Sequence, residues 1–140
     1  MEVAKLPLPP VSESAKAKAF LEFEYAEIKD LSKQFLTVVA GVLALSVTFS
    51  EKIVSFTQAG FKTRLLMMSC WVLCLGAFLL GGCAIFLIYN AGAAAKRTIL
   101  YQRFHPYRLM AALSYWCLDL AGAAFVLALV LLVLAAFLRI

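Results

Sequence analysis

The chain has 140 residues and a formal net charge of +5, and its mass of 15.4 kDa is that of a single domain. Apolar residue types make up 64% of the sequence and charged types 15%, against about 45–50% and about 25% in a soluble globular protein. A soluble chain of this length cannot bury so much apolar surface. The composition therefore indicates a membrane protein and excludes a disordered chain, a collagen-like repeat and a secreted disulfide scaffold.

Residues 1–10 are predicted to form a mobile lead. Pro7, Pro9 and Pro10 disfavour a helix in this segment and favour polyproline-like geometry. We predict no cleavable signal peptide, because the first long apolar run begins only at Phe35 and no short apolar core precedes it.

Residues 11–34 are predicted to form an amphipathic cytoplasmic helix. Its apolar side chains recur at helical spacing, and charged residues cover the rest of its surface. These apolar positions are Leu21, Tyr25, Ile28, Leu31 and Phe35. Ser12 or Ser14 can cap the first turn, and nothing breaks the helix before the apolar run that follows. It is either a solvated helix at the lipid headgroups or a helix that docks an oligomer partner, and both interpretations stay open.

Residues 35–140 are predicted to form an all-α transmembrane domain of three helices. The runs that can cross a bilayer are residues 35–56, 65–95 and 109–138. The uncharged part of the first run, residues 35–50, is shorter than the ~20 residues that span about 30 Å of hydrocarbon. Gly60 is expected to end the first helix in a left-handed conformation, and Pro106 is expected in the first turn of the third helix.

The distribution of lysine and arginine predicts the orientation of the three helices. With three spans, the N-terminal segment and the second loop lie on one side of the membrane and carry nine Lys and Arg residues. The first loop and the C-terminus carry four. Because cytoplasmic segments are enriched in Lys and Arg, the sequence predicts a multi-pass protein with a cytoplasmic N-terminus.

Small residues alternate at steps of three and four along one face of each apolar run. In the first run they are Thr37, Gly41, Ala44 and Thr48, and in the second Cys70, Cys74, Ala77, Gly81 and Ala84. In the third run they are Ser114, Cys117, Ala121, Ala124 and Ala128. This spacing keeps residues on one face of a left-handed helix pair, and small side chains let helices approach closely in lipid. The three seams predict tight helix packing, either within one chain or between copies.

Asp119 is the one charged residue expected deep in a span, about ten residues into the third run. A lipid-exposed aspartate near the bilayer centre costs about 2.5–3.5 kcal/mol on insertion scales, so its side chain should face protein or water. Tyr115 and Gly122 lie one turn away on the same face, where the phenol can hydrogen-bond the carboxylate. We expect a structural hydrogen bond or ion pair, with an ion path as the alternative. Glu51, near the opposite interface, is a second intramembrane polar candidate.

The second loop and its flanks mix basic and aromatic residues in the segment KRTILYQRFHPYR. The basic residues are Lys96, Arg97, Arg103 and Arg108. Juxtamembrane basic clusters attract anionic lipid headgroups, and aromatic side chains are enriched at that depth. Nucleic-acid surfaces use the same residue types, but a short segment beside the membrane favours lipid. We therefore predict anionic headgroups as the partner and no nucleic acid.

No pattern predicts an enzyme, a cofactor or a metal site. The chain has no glycine-rich phosphate loop and no nucleophile elbow, and its single histidine, His105, lies outside the apolar runs. The four cysteines lie inside apolar runs and are predicted to be free packing thiols. Cys70 and Cys74 are one helical turn apart, but the third and fourth ligands of a metal site are missing.

Residues 21–54 combine a charged helix with an apolar span of the pattern T-x-x-x-G-x-L-x-L-S-x-T-F. The matching residues are Thr37, Gly41, Leu43, Leu45, Ser46, Thr48 and Phe49. This stretch resembles the first helix of small bacterial multi-pass membrane proteins, some of which are similar to membrane-disrupting effectors of anti-phage defence loci. The resemblance implies the bacterial inner membrane and a pore or effector role, and it assigns no functional residue.

Two functions follow from these patterns and remain open. In the first, copies assemble through the small-residue seams into a homo-oligomeric channel or membrane-depolarising pore, with Thr37, Thr48, Glu51 or Asp119 facing water. In the second, the chain is a non-catalytic accessory subunit that packs against a larger membrane complex. A ring of identical copies is expected of the first, and instability without a partner is expected of the second.

Overall fold

The computed structural model describes residues 12–53, 58, 60–101 and 106–138, without the side chains of residues 49, 51 and 53. The predictions made for residues 1–10, for Arg103 and for the carboxylate of Glu51 lie outside the described structure. All of the other candidate site residues are described, so their positions can be compared with the sequence predictions.

The described residues fold into helices and contain no strand. Helix α1 covers Glu13–Ala19, a π-helical turn covers Phe20–Glu24, and α2 covers Tyr25–Ile53. Helix α3 covers Phe61–Tyr101 and α4 covers Tyr107–Phe137. Three helical stretches of this structure are long and apolar enough to cross a membrane. The predicted class, an all-α membrane protein with three transmembrane helices, is confirmed.

The first helix is continuous from the amphipathic segment into the first span, as predicted. The residues that join α1, the π-helical turn and α2 keep right-handed helical backbone angles. Ser12 caps the start, where its hydroxyl accepts a hydrogen bond from the backbone N–H of Ala15 at 3.3 Å. Of the two candidate caps, Ser12 is therefore the one that is used.

The π-helical turn keeps the apolar residues of the first helix on its buried side and a charged residue on its exposed side. A regular helix with Ala17 on its buried side would bring Glu24, two turns later, to the same side. Instead, the backbone N–H of Tyr25 bonds to the carbonyl of Phe20, five residues back, which is the π pattern. The extra residue lets Phe20 and Tyr25 both face the bundle while Glu24 stays exposed.

The buried face of α2 differs from the predicted one at Leu31. Leu31 is 52% exposed, whereas its neighbour Ser32 is fully buried. After the π-helical turn, the buried line runs through Ile28, Ser32 and Val39, at the spacing of a helix pair. Leu31 and Ser32 lie three and four residues after Ile28, and either step keeps a residue near the packed side, so the spacing of apolar residues did not identify which of the two is buried.

Helix α3 extends beyond the predicted run of residues 65–95. It has 41 residues, which is about 60 Å at 1.5 Å per residue and about twice the hydrocarbon thickness of a bilayer. Its basic ends continue the helix because no glycine or proline interrupts them. The C-terminal part of α3 packs against α1 through Ala17, Ala94 and Ala95. Helix α3 is therefore the scaffold against which the other helices lie.

The two residues predicted to mark turns both precede helices. Gly60 does not take the left-handed conformation, and its carbonyl accepts a hydrogen bond from the backbone N–H of Arg64 at 3.1 Å. Gly60 thus begins α3 rather than ending the helix before it, and that prediction was wrong because glycine also suits a helix start. Pro106 is the N-cap of α4, one residue before the first turn in which it was predicted.

Helices α3 and α4 pack antiparallel along rows of buried residues at steps of three and four. The row on α3 contains Met67, Cys70, Cys74, Ala77, Gly81, Ala84, Ile88, Ala91, Ala95 and Thr98. The row on α4 contains Tyr107, Ala111, Ser114, Ala121, Ala128 and Ala135. These steps are those of a left-handed helix pair. The Ser114 hydroxyl donates to the Ala84 carbonyl at 2.8 Å and fixes the register.

Helix α2 packs against α3 and also meets α4. A Cβ placed on Gly81 would lie 3.0 Å from Cδ2 of Leu36, so the absence of a side chain at Gly81 makes room for α2. The rings of Phe35 and Phe125 meet edge to face, with centroids 5.9 Å apart. These contacts bring all three long helices together and fix their relative depth.

Candidate functional site

The small-residue seams of the second and third runs face each other inside one chain. All five seam residues of α3 are buried. In α4, Ser114, Ala121 and Ala128 are buried, while Cys117 and Ala124 are partly buried. These two seams are therefore occupied within the chain, mainly between α3 and α4, with Gly81 lying against Leu36 of α2.

The seam of the first run faces away from the bundle. Thr37, Gly41, Ala44 and Thr48 are all exposed, and a Cβ on Gly41 would meet no atom within 4 Å. The hydroxyls of Thr37 and Thr48 donate to backbone carbonyls of their own helix at 3.0 Å and 2.7 Å. We call these four residues the α2 stripe. It is a surface of small side chains whose hydroxyl protons are already hydrogen-bonded.

A groove of about 460 Å³ runs beside the α2 stripe, between α2 and α3. Its lining residues are Ala40, Leu43, Ala44, Val47, Thr48, Leu75 and Phe78. Two residues of the stripe, Ala44 and Thr48, form part of this lining. Stripe and groove together have the shape that accepts the ridge of a neighbouring helix.

Asp119 lies nearer one edge of the apolar part of the bundle than its middle. The register of α3 and α4 places Asp119 at about the level of Gly81, and Gly81 lies against Leu36 of α2. Lys33, the last charged residue of α2 before its apolar run, is therefore within about one helical turn of the depth of Asp119. The first turns of α4 lie instead beside the π-helical turn.

The Asp119 side chain is exposed on the outward face of α4. Among the described residues its carboxylate forms no hydrogen bond or ion pair. Tyr115 does not donate to it, and that side chain lines a cleft near the start of α4 together with Lys16 and Arg108. A Cβ on Gly122 would meet no atom within 4 Å, so the space beside Asp119 is open. The carboxylate is available to a group outside this chain.

Exposed aromatic rings surround the bundle just beyond Asp119. Trp116, one turn before it on α4, is 68% exposed. Phe86 and Tyr89 are exposed at a similar level of α3. Aromatic side chains are enriched where a membrane meets water. This aromatic layer therefore marks one edge of the hydrocarbon region, and Asp119 lies close to it.

A second candidate site is a cleft of about 430 Å³ between the π-helical turn and the first turns of α4, which we call the interfacial cleft. Its lining residues are Lys16, Ala19, Phe20, Phe23, Glu24, Tyr107, Arg108, Ala111, Ala112 and Tyr115. Sequence reasoning missed the cleft because Lys16 and Arg108 are far apart in the chain. The π-helical turn that forms one wall also has no local sequence signal.

The predicted headgroup residues divide between the surface and this cleft. Lys96, Arg97 and Arg108 are exposed, and of these three only Arg108 lines the interfacial cleft. Lys96 and Arg97 lie on the last turns of α3. The sequence therefore identified one cation of the cleft, Arg108, and did not identify the other, Lys16.

The four cysteines are free thiols with different surroundings. Cys70 and Cys74 are buried between α3 and α4, and Cys117 is partly buried. Cys83 is exposed, so its thiol is not part of the packed interior. Within the described ranges no group of three or more His, Cys, Asp or Glu side chains is placed to hold a metal ion.

The fold and the hydropathy of its helices define a multi-pass α-helical membrane protein with three transmembrane helices. Comparison with protein-family models, with curated proteins and with solved structures finds no match. The function must therefore come from the α2 stripe, Asp119 and the interfacial cleft themselves.

Proposed function

We propose that copies of this chain assemble side by side in the bacterial inner membrane, with the N-terminus in the cytoplasm, and that the assembly is a channel or membrane-depolarising pore. The observation that carries the proposal is a pair of unoccupied outward surfaces at matching depth. One is the α2 stripe with Lys33 at its end, and the other is the outward face of α4 with Asp119.

The α2 stripe suits close contact with a helix from another copy. Helices in lipid gain no hydrophobic energy from association, so their contact depends on close packing and on hydrogen bonds. The four small residues of the stripe let a neighbouring backbone approach, and all four are exposed in the single chain. The seams of α3 and α4 are already buried against each other. The α2 stripe is therefore the one of the three seams that is free to pack against a second copy.

Lys33 and Asp119 supply charge complementarity across that contact. Both are exposed at similar depth on different helices, and among the described residues neither forms an ion pair. When α2 of one copy packs against α4 of the next, each contact receives one cation and one carboxylate. A head-to-tail contact of this kind closes into a ring when the rotation between copies allows it.

An ion path in this assembly runs between copies, because the interior of one bundle is filled. The packed centre between the long helices consists of Cys70, Cys74, Ala128, Leu43, Leu73, Phe125, Leu131 and Leu132. The outward polar groups of the apolar region include Asp119 and the two threonines of the α2 stripe. A ring of Asp119 carboxylates near one end of the path would favour cations over anions.

The location and orientation rest on the sequence. The nine Lys and Arg residues of the N-terminal segment and second loop, against four in the first loop and C-terminus, favour a cytoplasmic N-terminus. The bacterial inner membrane follows from the resemblance of residues 21–54 to the first helix of small bacterial multi-pass proteins.

The mass of the full chain in lipid nanodiscs, measured together with ion leakage from liposomes, tests the proposal. We expect the wild type to form a multimer of fixed copy number and to leak ions. Gly41→Leu places a bulky side chain on the α2 stripe without a clash inside the chain, and should lower self-association about tenfold or more and abolish leakage. Val72→Leu is the control, since Val72 is exposed on α3, outside the α2 stripe and the lining of the groove.

The outcomes separate the two candidate functions. A monomeric wild-type mass would overturn the proposal and favour the accessory subunit of a larger membrane complex. A multimer that does not leak would keep the assembly and overturn the pore. Equal loss of assembly in Gly41→Leu and Val72→Leu would show that the α2 stripe is not the interface.

A further inference from the structure

We propose that the interfacial cleft binds the phosphodiester headgroup of a phospholipid, as a specific site beyond the general attraction of basic residues to the membrane surface. This inference does not depend on self-assembly or conduction. It rests on the lining of the cleft, on one buried hydroxyl without a partner, and on the position of the cleft beside the aromatic layer.

The walls of the cleft come from two parts of the chain that the fold brings together. Phe20 and Phe23 of the π-helical turn face Tyr107 and Tyr115 of α4. The volume of about 430 Å³ is within the range of small-ligand sites, about 300–1,000 Å³. Single π-helical turns inside longer helices are frequent at functional sites. The cleft therefore has the size and the local backbone of a binding site.

The hydroxyl of Tyr107 points to a polar ligand. Tyr107 is 1% exposed, and its ring packs against Phe20 with centroids 5.2 Å apart. Among the described residues its hydroxyl has no hydrogen-bond partner. Buried hydroxyls are almost always paired, because an unpaired one loses its bonds to water without replacement. Tyr107 lines the cleft, so the missing partner is expected to be an acceptor of a ligand held there.

Lys16 and Arg108 place two cations on the cleft lining, and Glu24 adds a carboxylate that limits the negative charge of a ligand. Guanidinium groups donate to phosphate in a fixed fork. Lys16 contacts Glu13 at 3.0 Å, which uses one of the three donors of its ammonium. Counted with the Glu13 carboxylate that contacts Lys16, these four side chains carry no net charge. A lining without excess positive charge suits the single negative charge of a phosphodiester better than the two charges of free phosphate.

The cleft lies at the depth of lipid headgroups. Tyr115 lines the cleft and directly precedes Trp116 of the aromatic layer. Phe23, which is 72% exposed, offers an apolar surface to the glycerol and the first acyl carbons. Basic pockets between helices at the membrane surface bind lipid headgroups. The charge, the size and the depth of the cleft all fit a phospholipid whose phosphate lies between Lys16 and Arg108.

Native mass spectrometry of the full chain in detergent, titrated with phosphatidylglycerol or phosphatidylethanolamine, tests the site. The wild type should retain one phospholipid per chain. Lys16→Gln combined with Arg108→Gln should weaken lipid affinity about tenfold or more, because two charged hydrogen bonds are lost. Tyr107→Phe keeps the ring packing and should weaken affinity several-fold. The matched control is Lys18→Gln combined with Lys62→Gln, which removes two exposed charges outside the cleft and should bind like the wild type.

Four results would overturn the site. The first is a wild type without bound lipid, and the second is a Tyr107→Phe variant that binds like the wild type. The third is an equal loss in the Lys18 and Lys62 control, which would mean general electrostatic attraction. The fourth is displacement of the lipid by sn-glycerol 3-phosphate or inorganic phosphate at similar concentration, which would mean that the cleft takes a soluble phosphate. If the double variant at Lys16 and Arg108 does not fold, Tyr107→Phe alone decides.

Discussion

At the scale of single residues, depth decides which charged side chains can stay exposed in a membrane helix. An aspartate at the bilayer centre costs about 2.5–3.5 kcal/mol, and the cost falls toward the interface. Asp119 lies one turn from the exposed Trp116 and within about a turn of the level of Lys33. Its outward carboxylate is therefore tolerated in a single chain and stays available for a neighbour.

Exchange of the two charges tests whether Lys33 and Asp119 meet between copies. Lys33→Glu should lower the multimer fraction about tenfold, since close interfacial charge pairs contribute about 1.5 kcal/mol or more. Asp119→Lys should do the same. The combination of both substitutions restores opposite charges at the contact and should recover assembly. The measurement is the mass distribution in nanodiscs at matched protein concentration.

Lys18→Glu is the control for the charge exchange, because Lys18 is exposed on α1 and lies far from the α2 stripe along the helix. It makes the same change in net charge and should leave the mass distribution unchanged. A double variant as weak as its parents would contradict the direct pairing, while the result for Gly41→Leu would still decide whether the stripe is an interface.

At the scale of elements, the sequence identified the small residues that pack closely in α3 and α4, whereas those of α2 are exposed in the single chain. The alternation of small residues in α3 and α4 is a reliable signal, because both helices bury those positions against each other. The same alternation in α2 lies on an outward face, since a pattern of small side chains does not encode its partner. The fully buried Ser32 had no such signal either, because a serine inside a bundle looks like a serine on its surface.

The π-helical turn could not be predicted from the sequence either. It arises from a tertiary requirement: Phe20 must pack on Tyr107, and Tyr25 must pack on Gly92, where a Cβ would lie 2.5 Å from the tyrosine ring. These contacts are five residues apart on the first helix, a step that a regular α-helix does not offer on one face. The interfacial cleft depends on this turn and was missed for the same reason.

Deletion of Phe23 tests the role of the π-helical turn. The deletion leaves a four-residue step between Phe20 and Tyr25, so a regular α-helix can keep both side chains against the bundle. We expect α1 to stay packed against the bundle and the free energy of unfolding to change by about 1 kcal/mol or less. Lipid affinity should fall several-fold, because a wall of the interfacial cleft is lost. Hydrogen exchange of residues 13–20 and the lipid titration measure the two effects.

A deletion in the regular helix provides the matched comparison. Removing Ala26 turns everything before it by about 100° relative to α2, so Ala17 and Phe20 leave the bundle and α1 should exchange rapidly. If both deletions released α1 equally, the idea that the π-helical turn contains one extra residue, which can be removed without undocking α1, would be wrong.

At the scale of the whole molecule, α3 is longer than the membrane is thick, and its surplus length organises one side of the protein. About 20 of its 41 residues cross the hydrocarbon. The remainder carries α1, the π-helical turn and the first turns of α4 on its surface. One end of the bundle is therefore a folded, partly charged layer of helices at the headgroups. The interfacial cleft lies within that layer.

The orientation of this layer is the last prediction. Three spans put the two termini on opposite sides of the membrane, and the layer contains most of the basic residues, because α1, the charged part of α2 and the end of α3 all lie on its side. The positive-inside rule then places the layer in the cytoplasm. Reporter fusions after residue 140 and beside Gly60 should both read outside, and a fusion before residue 12 should read cytoplasmic. A cytoplasmic reading after residue 140 would contradict the orientation, and opposite readings at residue 140 and Gly60 would contradict the number of spans.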